Sequence, residues 1–175
     1  MDVDLKVQQV VAEDVEELCQ ADEKCLYAAL ETAPAQISQT IVSLVPDAAT
    51  IKWHHAREDY VVNCLHGLGP QNRGAICHYQ SDKKAWCLWS RTFGDDPTQS
   101  SVLYILRLVI DEIDEPLGSG DSVEGAAKVI QASDAAICLL QAAQIEATKS
   151  KIKEIQIWYV FLLYLDPLQK LSSPY

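Results

Sequence analysis

Two adjacent histidines and a loose group of thiols and imidazoles carry the side-chain chemistry that stands out first in this chain. His54 and His55 sit side by side, and imidazole titrates near neutrality, which suits it to general acid–base work. Cys64, His66, Cys77, His78 and Cys87 fall in one short region, and thiolate and imidazole are the usual zinc ligands. Their spacing matches no familiar zinc pattern, and none of the six cysteines forms a C-x-x-C pair. Cys19, Cys25, Cys64, Cys77, Cys87 and Cys138 are therefore read as reduced, buried structural thiols, with no metal expected. The histidine pair is likewise read as structural, solvated or hydrogen-bonded, in preference to a catalytic base.

The elements that position these residues are organised around Val102 to Leu165, which reads as strand, glycine-bearing loop, long helix, strand. Val102-Leu-Tyr-Ile-Leu-Arg-Leu-Val-Ile110 is a nearly unbroken apolar run, as expected of a strand covered on both faces. Residues 111–124 carry turn chemistry, with Pro116, Gly118, Gly120 and Asp121. Ser122, Glu124 and Gly125 open an alanine-rich helical run to about Ser150, with Ile130, Ile137 and Leu140 on its apolar side and so much alanine that it can lie close to a sheet. Ile155 to Leu165 returns as a second strand, too short to cross a bilayer, so the segment forms a β-loop-α-β crossover.

Upstream, apolar residues at helical spacing predict a helix from Ala12 to Ala33, ended by Pro34, with a further short helix through Ile37, Ile41 and Leu44. Between Asp47 and Gly67, Trp53, Ala56, Tyr60 and Cys64 fall three and four apart and line one face of another helix. Arg73 to Tyr79 and Lys84 to Phe93 read as a β-hairpin with large side chains on both faces. Lys149, Lys151 and Lys153 complement the dipole at the end of the long helix and are read as structural.

A chain of 175 residues that is 49% hydrophobic can bury one sizeable core, so one compact unit is expected, with residues 1–46 as an N-terminal helical segment and 47–175 as the α+β domain. A net charge of −11 argues against nucleic acid as a partner and suits a small cationic molecule. Met1-Asp-Val-Asp-Leu5 is acidic and lacks the pattern of a signal peptide; the reading is a cytoplasmic protein with no membrane association.

The order of elements resembles the GNAT superfamily of N-acetyltransferases. More narrowly, Trp53-His-His-Ala-Arg-Glu-Asp-Tyr60, the hairpin with Trp86 and Trp89, and Leu103 to Ile110 resemble the C-terminal region of fungal lysine N6-acetyltransferase-like proteins, over roughly Glu23 to Glu154. The resemblance implies a GNAT-like mixed sheet, a hairpin plus a β-α-β crossover with N-terminal helices, and acetyl-CoA as cosubstrate. Its diphosphate would lie on the amides that open the long helix, at Ser122, Gly125, Ala126 and Ala127, where small residues allow close approach. The family signature Gln/Arg-x-x-Gly-x-Gly/Ala is met in part by two registers. Glu115-Pro-Leu-Gly-Ser-Gly120 keeps both glycines behind an acid, and Ser122-Val-Glu-Gly-Ala-Ala127 keeps Gly125 and Ala127 behind a serine. Asp111, Glu112, Asp114, Glu115, Asp121 and Glu124 surround both, and carboxylates repel phosphate.

In the resembled fold the strand after the helix parts from its neighbour to admit the pantetheine arm, and a tyrosine near it serves as general acid, which points to Tyr159 or Tyr164. The implied activity is acetyl transfer from acetyl-CoA to a small amine such as lysine, on a fold truncated or degenerate at its cofactor half. The alternative is a non-catalytic domain that has lost the acetyl-CoA signature and binds a ligand or a partner protein.

Overall fold

A computed structural model of the chain describes residues 5–32, 47–66, 71–79, 83–94, 100–110, 123–157 and 160–161. Strands β1 (Lys6–Val10), β2 (Gly74–His78), β3 (Lys84–Thr92), β4 (Val102–Ile110), β5 (Glu154–Ile157) and β6 (Val160–Phe161) form one mixed sheet. Its order is β1-β2-β3-β4-β5, with β6 also on β4. The first four strands are antiparallel neighbours, while β5 and β6 run parallel to β4. Parallel neighbours need a crossover. It is supplied by α3 (Val123–Lys149), and α1 (Asp14–Thr32) and α2 (Ala48–His66) complete the described elements.

Both faces of the sheet are covered, as the large side chains on β3 and the apolar run of β4 require. Against α3 lies a cluster that includes Cys87, Trp89, Leu103, Ile105, Leu108, Ala135 and Leu139. On the other face, Val15 and Leu18 of α1 and Ile51 of α2 meet Trp86, Leu88, Leu106 and Val109. Trp86 and Trp89 are wholly buried, one on each face. Each indole removes on the order of 200 Å² from water, worth roughly 5 kcal/mol at 25 cal/mol per Å². The buried stripe of α3 is Ala132, Ala135, Leu139, Ala143 and Ala147, whereas Ile137 and Leu140 are exposed. Alanine dominates the stripe because it lets the helix backbone approach the sheet, with Leu139 buried among it and Ile137 and Leu140 turned outward.

A β-bulge breaks the alternation of β4. Leu88 pairs with Arg107 and Trp89 with Ile105, so Leu106 is an extra residue on β4. Leu103, Ile105 and Leu108 therefore face α3, while Leu106 and Val109 face the α1–α2 layer. Arg107 also turns to that layer and donates to both oxygens of Asp22 on α1, at 2.5 and 2.6 Å. Burial pushes the Asp22 carboxyl up, against the pull of Arg107.

Local chemistry fixes the ends of the helices. Acids fill the first turn of α1, and Asp47 caps α2 by accepting from the Ala49 and Thr50 amides, which holds its carboxyl below the usual range. At the end of α3, Ile152 N–H donates to Ala147 C=O and Lys151 N–H to Thr148 C=O, a Schellman closure. Lys151 sits there at φ 57°. A left-handed backbone is costly for a residue with Cβ. Lys151→Gly is expected to raise stability by about 0.5–1 kcal/mol, read as a higher urea midpoint at unchanged m-value.

Gly74 is the close approach of the hairpin: a Cβ there would lie 2.0 Å from the Cys87 carbonyl oxygen. Backbone must shift to admit it. Gly74→Ala is expected to destabilise by roughly 2–3 kcal/mol, measured by thermal or urea unfolding.

Several sequence readings change here. Residues 6–10, read as part of a helical N-terminal segment, form the edge strand β1. The predicted face of Trp53, Ala56, Tyr60 and Cys64 is a helix face, but an exposed one; α2 buries Ile51, His55, Glu58 and Val62. Strand β5 is exposed along its length, with Ile155 and Ile157 partly in solvent, which is the partly uncovered of the two states that its apolar sequence allows. The predicted helix around Ile37 to Leu44 lies outside the described residues. Among the described residues no helix is long and apolar enough to cross a membrane.

Candidate functional site

The helix opening to which the resemblance assigns the diphosphate and a cleft beside α2 lie at opposite ends of β4. Helix α3 leaves from the carboxyl end of β4 and runs back along the sheet, so that Glu146 and Ser150 near its C-terminus reach Arg91 at the end of β3. The helix opening is therefore at the far end, where ligands gather beside strand termini and where helix amides face anions. Gly125, Ala126 and Ala127 fall in the first two turns of α3. Ser122 lies outside the described residues, as do Tyr159 and Tyr164.

The second place is a cleft of about 400 Å³ between α2, the end of β3 and the start of β4. Roughly 20 Å of strand separates Tyr104 in its wall from Ile110, at about 3.3 Å per residue. His54, Arg57 and Val61 line it from α2, and Ser90, Thr92, Ser100 and Tyr104 from the sheet side. Ser90 Oγ donates to the His54 carbonyl at 3.3 Å, tying the two walls together. Burial and the nearby Arg57 charge both hold the His54 imidazole below its ordinary pKa.

Its floor is a buried ionic network. Glu58, 2% exposed, accepts from Arg91 Nε at 2.7 Å and from the Arg91 amide at 2.9 Å. The remaining Arg91 donors reach Glu146 at 2.6 Å and the Asn72 carbonyl at 2.8 Å, so one guanidinium joins α2, the approach to β2, and α3. Arg73 donates to both oxygens of Asp59 at 2.5 Å and stands 3.7 Å from Glu58, its Nε and Nη1 making no hydrogen bond. His55 Nε2, 3.0 Å from the Trp89 carbonyl, donates to it, and burial with the Arg73 charge lowers the imidazole pKa to about 4. His55 is thus a neutral structural hydrogen-bond donor at physiological pH, not a base. The network was not legible as a site, although Ile51, His55, Glu58 and Val62 do recur at helical spacing.

The sequence profile of the family described as the LYC1 GNAT-like C-terminal domain matches residues 2–172. The chain belongs to this family. A comparison with curated proteins finds no match. Among solved structures, a GCN5-related N-acetyltransferase from Ralstonia eutropha JMP134 is similar at 15% identity and a TM-score of 0.37, over 98% of each chain.

Membership explains the order of elements in this LYC1 GNAT-like domain. The pairs Ile105 with Ile157 and Leu108 with Val160 share one offset, so β4 and the returning strand stay in register on both sides of Trp158 and Tyr159. No parting of the strands is seen between the described residues up to Val109 and Phe161. Of the thiols, Cys19, Cys77 and Cys87 are buried, and burial pushes their pKa values up to about 11, about 11 and about 12. Protonated thiols are poor nucleophiles and poor ligands. Cys64 is exposed and Cys25 and Cys138 are half-buried, so the buried reading holds for part of the set. Among the described residues no group of His, Cys, Asp and Glu side chains converges as a metal site.

Proposed function

We propose that this GNAT-like domain binds acetyl-CoA at the opening of α3 and passes its acetyl group to a small cationic amine such as lysine. The observation that carries this reading is the crossover itself: a central strand, β4, whose carboxyl end feeds a long helix that returns to a parallel neighbour. Ser122, Gly125, Ala126 and Ala127 would hold the diphosphate, since small residues leave the helix amides accessible and Gly125 presents no Cβ. The acids that precede them in sequence oppose the fit, and the dipole of α3 supports it. Bound acetyl-CoA supplies an acyl thioester, and the incoming amine must be neutral to attack it, which calls for a carboxylate or a water chain as base. Tyr159 and Tyr164 are the proposed acids for the leaving thiolate.

The shared offset of the described pairs of β4 with β5 and with β6 favours a second reading, a non-catalytic domain that binds a ligand or a partner protein. Titration of acetyl-CoA against melting temperature separates the two. Acetyl-CoA at a hundredfold excess over its dissociation constant is expected to stabilise the domain by about 2.7 kcal/mol. Gly125→Glu is expected to abolish that response while leaving the unliganded melt close to the parent. Absence of any shift at millimolar acetyl-CoA would leave the non-catalytic reading.

A further inference from the structure

We propose that the cleft between α2, β3 and β4 is a binding site for a small carboxylate, with Arg57 as its anchoring cation. The inference goes beyond acetyl transfer and stands whether or not the domain performs it. A chain with a net charge of −11 suggests a cationic ligand, but the described residues that line this cleft carry a net charge of the opposite sign. Its described lining residues include Arg57 and Arg91 as cations and Glu58 as the carboxylate. Glu58 is spent, because Arg91 Nε and the Arg91 amide occupy its two oxygens. An ammonium entering the cleft would find no uncommitted carboxylate among those residues and would meet Arg57.

Arg57 is placed differently from the other arginines. Arg73, Arg91 and Arg107 are buried, and each is held by an acidic partner. Arg57 is exposed at the cleft mouth, and no ion pair involves it among the described residues. A guanidinium is a planar fork of donors matched to a carboxylate. Ser100 lines the cleft as well, and its hydroxyl can turn a hydrogen toward an anionic oxygen, whereas Ser90 and Thr92 already donate to the His54 and Val102 carbonyls. The volume, about 400 Å³, is at the lower end of the range for small-molecule sites and suits a ligand of amino-acid size. If the ligand also carries an amine, that amine must project out of the cleft.

The test uses two probes with the same aliphatic spacer and one shared amine, 6-aminohexanoate and cadaverine, which differ in whether the other end is a carboxylate or an ammonium. Both are titrated into the whole chain, with binding followed by NMR at the His54 ring and the Tyr104 amide. 6-Aminohexanoate is expected to bind at least about tenfold tighter than cadaverine, with saturable shifts at both positions. Arg57→Gln is expected to weaken it by about tenfold or more, and Arg57→Lys, which keeps the charge and loses the fork, by less. Inorganic phosphate at equal concentration tells a carboxylate site from a general anion site; phosphate binding as tightly as 6-aminohexanoate overturns the assignment to carboxylates. Equal or tighter binding of cadaverine, an unchanged affinity in Arg57→Gln, or no saturable shift by 6-aminohexanoate also overturns the proposal. Each result is independent of the acetyl-CoA titration.

Discussion

Arg91→Met is expected to destabilise the protein by about 3–5 kcal/mol, the cost of leaving a buried carboxylate without its counter-ion. Glu58 is 2% exposed and takes hydrogen bonds from both the side chain and the amide of Arg91. Removing the guanidinium strands that charge. The Arg91 amide remains, but Arg73 Nη1, 3.7 Å away, is too far to replace the lost hydrogen bond. The same change frees Glu146 and the Asn72 carbonyl, so helices on both faces of the sheet lose a tether. Glu58→Leu combined with Arg91→Met is expected to recover a substantial part of the loss, because an apolar pair of similar volume carries no stranded charge. Urea unfolding of the two single variants and the double variant measures the coupling. A single-variant loss below about 1 kcal/mol, the range of an exposed ion pair, would show that the network is solvated.

Stability is expected to fall by on the order of 3 kcal/mol as pH drops from about 6.5 to about 4, through His55 alone. The sign follows from the direction of its shift. His55 has its pKa lowered to about 4 in the fold against 6.5 in the unfolded chain, so between those values the unfolded chain binds the extra proton. The contribution is complete above 6.5 and is lost as pH falls through the folded value. Asp22 works the other way, since burial raises its carboxyl pKa, and total acid stability mixes the two. Comparison with His55→Gln isolates the histidine. The amide of glutamine can still donate to the Trp89 carbonyl, and its stability should lack this slope between pH 6.5 and 4. Parallel profiles for parent and variant would mean that the imidazole titrates normally.

What was legible in the sequence was local chemistry. Strands β2, β3 and β4 announced themselves by alternation or by an unbroken apolar run, and α3 by its alanine and its turn-rich approach. The β-α-β crossover and the resemblance to acetyltransferases followed from that order. Strand β1 was missed because Lys6-Val-Gln-Gln-Val10 does not alternate and buries only Val10; pairing with β2 makes it a strand. The buried face of α2 was missed for a different reason. Glu58 and His55 look like solvent residues until Arg91 and Trp89, more than thirty positions later, are folded over them. Such partners leave no periodic trace. The exposed aromatic line of Trp53 and Tyr60 gave the stronger helical pattern, and it faces water.

The bulge at Leu106 decides which face of the sheet Arg107 meets. Closing the bulge with no residue removed would restore plain alternation beyond Ile105 and swing Arg107 from Asp22 toward the alanine stripe of α3, where the described residues show no buried acid. An ion would then sit among hydrocarbon on one face while its former counter-ion stood alone on the other. Removal of Leu106 itself would leave Arg107 opposite Leu88 and facing Asp22, so among descendants of this gene a one-residue shortening of β4 should fall at that position and other length changes in connecting segments.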